Sequence, residues 1–168
     1  MKTISIKTFN ILSASLVGLY LIAILSFTLT SCEKKDAATS TATLRTKEIA
    51  LDSANGYAVY GKAIIAENAD HSFNVNITLQ NTIKDTVMVM HIHNGSITST
   101  GNISVPLTPI TGTGTQATGT TLNINSGFNA IGSSVNLNYD SIIKPIRYIN
   151  VHYSASKLDT IIAHGNIQ

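Results

Sequence analysis

The nine residues 87–95, Val-Met-Val-Met-His-Ile-His-Asn-Gly, constrain the fold of this chain more than any other segment. Successive side chains of a strand point to opposite faces, so His91 and His93 share one face with the valines. The methionines and Ile92 take the other face, and Asn-Gly supplies a turn signal behind the strand. The segment therefore predicts a largely buried strand that presents two imidazoles about 7 Å apart on one side.

The same two-residue alternation recurs along the chain after about residue 45. Polar turns separate apolar-alternating segments at intervals of about 8–12 residues, and no long helical period interrupts them. This pattern predicts an all-β, antiparallel sandwich or barrel of about 7–9 strands. The predicted strands lie at 59–65, 73–79, 87–93, 103–107, a stretch ending at 122–124, 135–139, 147–153 and 160–167.

Three connecting segments carry more specific predictions. Pro106 and Pro109 cannot donate to a strand ladder, so the strand that contains them is expected at an edge. The Thr- and Gly-rich stretch 111–121 predicts a loop that runs into a second edge strand. Phe128 and Ile131 are expected to plug one end of the sandwich.

A short polar stretch before the strand at 147–153 favours helix. Residues 140–145 predict one helical turn that is capped by Asp140, because an aspartate side chain accepts hydrogen bonds from free amides at a helix start.

The N-terminus predicts a secretory signal that is followed by a lipid attachment site. Lys2 and Lys7 place positive charge near the start, and an uncharged apolar run covers 11–29. Leu-Thr-Ser then precedes Cys32, the single cysteine. This order resembles the bacterial lipobox, in which the cysteine is acylated after cleavage. An ordinary secretory signal with a free thiol and a retained membrane span are the alternatives.

Domain boundaries follow from this interpretation. We assign residues 1–31 to a lipoprotein signal peptide, 32–46 to a flexible polar tether and 47–168 to one β domain. Without the signal the chain keeps nine basic and nine acidic residues, because two of the 11 basic residues are Lys2 and Lys7. A neutral mature chain argues against nucleic acid as a partner. With Cys32 acylated, no disulfide can form.

Two separated motifs resemble the CHRD domain, which was named from chordin. They are His91-Ile92-His93-Asn94-Gly95, with Gly101 and the following strand, and Tyr148-Ile149-Asn150-Val151-His152. The resemblance covers residue 56 to the C-terminus and implies an immunoglobulin-like β-sandwich or barrel. The closing family segment Gly-Glu-Ile-Arg-Gly departs here to Ile161-Ile162-Ala163-His164-Gly165, so its acid and arginine are absent.

The histidines allow two main interpretations. His91 and His93 also look like the copper-ligand strand of copper-zinc superoxide dismutase, and His152 is the natural third ligand, with His164 as a possible fourth. The alternative is structural: the imidazoles hydrogen-bond to backbone carbonyls or to Asn150. His71 is expected to be a solvated residue of a polar turn.

Further side chains near the histidines allow similar choices. Tyr148 and Asn150 are either hydrogen-bond partners of ligating histidines or polar partners in the core. Met88 and Met90 are interpreted as core filling in preference to copper ligation.

The sequence favours a non-enzymatic function, because it shows no nucleophile elbow, paired carboxylates or phosphate-binding loop. We expect a binding or structural module of the CHRD type in a bacterial cell envelope, lipid-anchored to a membrane, with a protein or small ligand as partner. The alternative is a copper- or zinc-binding envelope protein that uses His91, His93 and His152. A hydrolase or dismutase is the third possibility.

Overall fold

A computed structural model describes residues 44–168. The predicted signal peptide, Cys32 and most of the predicted tether lie outside the described residues. The elements are β1 (Thr46–Ser53), β2 (Tyr60–Glu67), β3 (Phe73–Gln80), β4 (Val87–Ser96), β5 (Ser99–Thr111), β6 (Ala117–Ile124), β7 (Ser126–Phe128), β8 (Ser134–Asn136), α1 (Tyr139–Ile143), β9 (Arg147–Ser154) and β10 (Lys157–Asn166).

Eight of these strands form one antiparallel sheet in the order β5-β4-β9-β10-β1-β2-β3-β6, and β7 pairs with β8 separately. The two edges of the large sheet approach each other, since the Thr108 amide of β5 donates to Thr121 Oγ1 of β6 at 2.8 Å. The sheet is therefore nearly closed and barrel-like. The predicted antiparallel all-β architecture is confirmed, and the eight strands of the large sheet fall within the predicted number.

Both edge predictions are also confirmed. β5 contains Pro106 and lies at one edge of the sheet, and β6, which follows the Thr- and Gly-rich loop, lies at the other. An edge strand tolerates a proline because one side of its ladder needs no donor.

The core fills the inside of the barrel. In β4, Met88, Met90 and Ile92 are no more than 1 % exposed, while Val87 on the other face is 50 % exposed. The alternation predicted for this strand is therefore correct, and its histidines face outward. Other strands contribute the remaining core side chains in the same way, among them Leu51, Ile65, Phe73, Ile77, Leu79, Ile149 and Val151.

Residues 125–146 cover the end of the barrel at which β1 begins and β2 ends, here named the capped end. Leu137 packs into the core, its amide donates to the Asn125 carbonyl at 2.8 Å, and the Tyr139 amide donates to the His71 carbonyl at 3.1 Å. The prediction that Phe128 and Ile131 plug this end is wrong, because they are 41 % and 86 % exposed. Leu137 and Ile142 fill it instead.

The helical turn starts earlier than predicted. Asn138, and not Asp140, is the N-cap residue, and its side chain accepts from the Ser141 amide at 2.8 Å while Ser141 Oγ accepts from the Asn138 amide. Asp140 lies in the first turn of α1, where it pairs with Arg45 at 2.7 Å and with Lys144 at 2.9 Å. A carboxylate in this position is favoured by the positive end of the helix dipole.

Arg45 fastens the start of the domain to the capped end. Its guanidinium donates to both carboxylate oxygens of Glu67, at 2.7 and 2.8 Å, and it also reaches Asp140. The hydrogen bonds from Arg45 lower the pKa of Glu67 from 4.5 to about 2, against the opposing effect of burial. A bidentate pair of this kind is the strongest class of surface ion pair.

We expect Arg45→Gln to destabilise the domain at neutral pH and to make its stability less sensitive to acid. A depressed carboxylate pKa contributes stability that is present above pH 4.5 and is lost as the pH falls towards about 2. The variant removes that contribution, so the unfolding temperature falls at neutral pH, and by less at pH 2. Thermal unfolding followed by circular dichroism across this range measures it. Lys62→Gln, which removes the exposed Lys62–Glu48 pair, is the control and should change little. Equal falls in the unfolding temperature of the two variants would contradict the stabilising role of the Arg45–Glu67 pair.

Candidate metal centre

Strands β4 and β9 are direct neighbours, and their register brings the two histidine motifs together. His91 lies opposite Asn150, His93 lies opposite Tyr148, and Val89 lies opposite His152. Residues opposite each other in an antiparallel pair share a face. The outer face of the barrel therefore carries His91 and His93 on one strand, as the spacing predicts, and His152 on the next.

The three imidazoles form a compact cluster. Their ring centroids are 5.7 Å apart for His91–His93, 5.1 Å for His91–His152 and 6.0 Å for His93–His152. One nitrogen of each ring lies within 4.8 Å of the others. Nitrogens bound to one tetrahedral zinc ion lie roughly 3.4 Å apart, given bonds of about 2.0–2.1 Å. Ring rotations that close the separations by about 1.4 Å or less would complete the coordination.

Several nitrogens of the cluster are buried without a hydrogen-bond partner in residues 44–168. They are His91 Nδ1, His93 Nε2 and both ring nitrogens of His152. His93 is 9 % exposed and His152 is 5 % exposed. An unpaired buried polar group costs on the order of 1–3 kcal/mol, and folded proteins therefore keep few of them. Each neutral ring carries one nitrogen with a free lone pair, and the three rings together offer a donor set that suits an electron-pair acceptor such as a metal ion.

One contact fixes the orientation of His93. Its Nδ1 lies 3.0 Å from the Gly101 carbonyl oxygen, and because a carbonyl only accepts, Nδ1 carries the proton. His93 Nε2, which is buried and has no hydrogen-bond partner among the described residues, is then left with a free lone pair. Tyr148 stacks on the same ring at 5.0 Å with an interplanar angle of 22°. Such a hydrogen bond from the second ring nitrogen is the usual support of a metal-bound histidine.

The pKa values of the cluster favour neutral imidazoles. Burial, followed by the charges of His152 and His93, lowers the pKa of His91 to about 4. Burial also lowers the pKa of His93, and the Gly101 carbonyl opposes it. Burial lowers the pKa of His152, and the nearby Leu158 backbone partly opposes this shift. The Leu158 contact does not meet hydrogen-bond geometry, so both ring nitrogens of His152 count as unpaired. Metal ligation needs the neutral ring, which the cluster therefore holds at neutral pH.

The other proposed donors lie elsewhere. His164 faces Asn150 across β9 and β10 but is not part of the three-histidine group. His71 is 78 % exposed and pairs with Glu67 at 3.3 Å, as expected for a turn residue. Met88 and Met90 point into the core, on the opposite face of β4 from the histidines, so they are core filling.

The structural interpretation of the histidines accounts for one nitrogen only. The Gly101 carbonyl satisfies His93 Nδ1, but Asn150 does not serve as the expected partner, because its Oδ1 is itself buried and unpaired. Neither ring nitrogen of His152 has a partner among the described residues. Hydrogen bonding within the described chain thus leaves most of the cluster unexplained.

Two features of this region were not found from the sequence. The role of the Gly101 carbonyl depends on the close approach of the β4 and β5 backbones, where an added Cβ at Gly101 would collide with the Asn94 carbonyl. Arg147 is 7 % exposed and donates to the buried Ser104 hydroxyl. Gly101, which follows the His-x-His strand, was the available sequence signal for the contact with His93. Nothing in the sequence pointed to the contact between Arg147 and Ser104.

Comparison with protein-family models, with curated proteins and with solved structures finds no match for this chain. The residues 44–168 contain no helix long and apolar enough to span a membrane.

Proposed function

We propose that this protein binds a transition-metal ion, copper or zinc, through His91, His93 and His152, and that it does so as a lipid-anchored protein of a bacterial cell envelope. The observation that carries the metal proposal is that one nitrogen each of His91, His93 and His152 lies within 4.8 Å of the others, in a cluster where four buried ring nitrogens have no hydrogen-bond partner among residues 44–168. Folded proteins keep few buried polar atoms without a partner, and a bound ion would provide one for a nitrogen of each ring.

The donor set selects the class of metal. Imidazole nitrogen suits zinc and copper, whereas calcium and magnesium prefer oxygen ligands. Three histidines with no further protein donor in the described group leave a coordination position for water or another small ligand. His91 is the most accessible member and marks the side from which that ligand would approach.

Metal analysis tests the proposal. Purified protein dialysed against micromolar zinc or copper should retain one ion per chain, and His91→Ala should retain much less. His71→Ala and His164→Ala remove histidines outside the cluster and serve as matched controls that keep the ion. Absence of binding at micromolar metal, or equal losses in the controls, would remove the proposal.

A binding or structural module of the CHRD type is the second candidate. It is supported by the resemblance of the His-x-His and Tyr-x-Asn-Val-His motifs and by the direct pairing of the two strands that carry them. This candidate needs no catalysis, and a metal ion would be part of its binding surface. Stoichiometric metal binding distinguishes a metal-dependent module from one that binds its partner through the loops alone.

The location rests on the N-terminal sequence. Positively charged residues, an apolar run and a single cysteine at position 32 support acylation and attachment to a membrane. Several acyl chains hold a protein to a membrane far more firmly than one. In a bacterial host that processes lipoproteins, Cys32→Ser should therefore move the protein from the membrane fraction to the soluble fraction. Immunoblots of the fractions measure it, and unchanged membrane association would favour a retained apolar span.

A further inference from the structure

Apolar side chains are exposed at the capped end of the barrel, in the β7–β8 hairpin and just after α1. Ile131, at the tip between β7 and β8, is the most exposed large hydrophobic residue of residues 44–168 at 86 %. Ile146, just after α1, is 63 % exposed, and Phe128 is 41 % exposed. Leu44, where the described chain enters this end, is 50 % exposed.

Local geometry explains why these side chains face outward. In β7, Gly127 is buried against β5, where an added Cβ would collide with the Ser104 carbonyl, so the strand alternation turns Phe128 away from the barrel. The Ile146 carbonyl accepts from the Gly95 amide at 3.1 Å, which fixes the backbone while its side chain stays in solvent. The backbone contacts of Gly127 and Ile146 therefore hold the side chains of Phe128 and Ile146 in solvent.

The covalent path to the predicted lipid leads to this same end. Only 11 residues separate Cys32 from Leu44. A fully extended chain of that length spans at most about 40 Å. A domain of this size has a diameter of roughly 35 Å, comparable to that reach, and the chain enters the barrel from Cys32 at the capped end, where β1 begins.

We propose that the capped end docks on the membrane surface that holds the Cys32 lipid, with Phe128, Ile131 and Ile146 in contact with the lipid interface. This inference rests on the anchoring part of the proposed function and adds an orientation to it. Lys144, which is two residues before Ile146 and 70 % exposed, pairs with Asp140 at 2.9 Å and has a side chain long enough to keep its ammonium group among the headgroups. The contact would set the direction in which the histidine cluster is presented.

A membrane accounts for these residues better than a protein partner does. Lipid contact needs dispersed apolar side chains near the interface and no shaped pocket. The short connection to the lipid also keeps the membrane at high effective concentration around this end, so weak contacts suffice.

The chain contains no tryptophan, which permits a single-site test. Full-length, lipidated Ile131→Trp protein is reconstituted into phosphatidylcholine–phosphatidylglycerol vesicles, with and without brominated acyl chains. Leu158→Trp is the matched control, since Leu158 is 47 % exposed near the start of β10, away from the capped end. We expect blue-shifted emission and loss of intensity with brominated lipid for Ile131→Trp alone.

The outcomes separate docking from anchoring. Equal emission and equal quenching in the two variants, with both proteins bound to vesicles, would overturn the docking proposal and leave anchoring intact. If neither protein stays with the vesicles after lipidation is verified by mass spectrometry, anchoring itself fails. A blue shift of Ile131→Trp that depends on protein concentration and persists in detergent without vesicles would indicate self-association instead and would also overturn the proposal.

Discussion

Zinc at one hundred times its dissociation constant is expected to raise the free energy of unfolding by about 2.7 kcal/mol. The folded chain alone brings His91, His93 and His152 within 4.8 Å of one another, so the ion favours the folded state. For a domain of this size the gain corresponds to a rise in the unfolding temperature of roughly 10 °C. Differential scanning calorimetry with and without a chelator measures it.

The histidine variants make this prediction specific. His152→Ala should lose the zinc-dependent rise, while the metal-free variant should keep or slightly gain stability, because two unpaired buried nitrogens are removed. His164→Ala is the control and should keep the rise. A zinc effect that survives in His152→Ala would show that the ion binds somewhere else.

Ile92→Ala is expected to lower the free energy of unfolding by about 2–5 kcal/mol, because it leaves a cavity in the barrel core. Ile92 is completely buried and lies between His91 and His93 in sequence, on the opposite face of β4. The variant should therefore lose stability and still bind one zinc ion per folded chain. Denaturant unfolding measures the loss of stability, and metal analysis at low temperature measures the retained zinc binding.

Val87→Ala on the same strand is the matched control for this variant. Val87 is 50 % exposed on the outer face, and exposed truncations usually change stability by less than about 0.5 kcal/mol. A large loss in Val87→Ala together with a small one in Ile92→Ala would mean that the two faces of β4 are assigned the wrong way round.

The alternation of side chains is what the sequence could predict of both fold and site. It places Met88 and Ile92 on one face of β4 and His91 and His93 on the other, and the burial of the first two agrees. The approach of His152 to His91 and His93 was expected only through the likeness to the copper-ligand strand, and the direct pairing of β4 with β9 was not predicted. Register depends on contacts between distant segments, here His91 opposite Asn150, and local sequence does not encode it.

The cap shows where local reasoning fails. Phe128 and Ile131 are apolar, and apolar residues in a loop suggest a plug, yet Gly127 occupies the inward position of β7 and turns Phe128 outward. The helix also starts earlier than predicted. Asn138 and Ser141 complete a reciprocal cap, which Asp140 cannot make from its position in the first turn. In each case a single neighbour in three dimensions decides between two acceptable local patterns.

X-ray absorption spectroscopy of the zinc-loaded protein tests the central claim most directly, because it reports the atoms bound to the ion. The three-histidine centre predicts imidazole scattering from three nitrogens at about 2.0–2.1 Å, reduced to two in His91→Ala. A spectrum of oxygen ligands alone, or one that His91→Ala leaves unchanged, would contradict it.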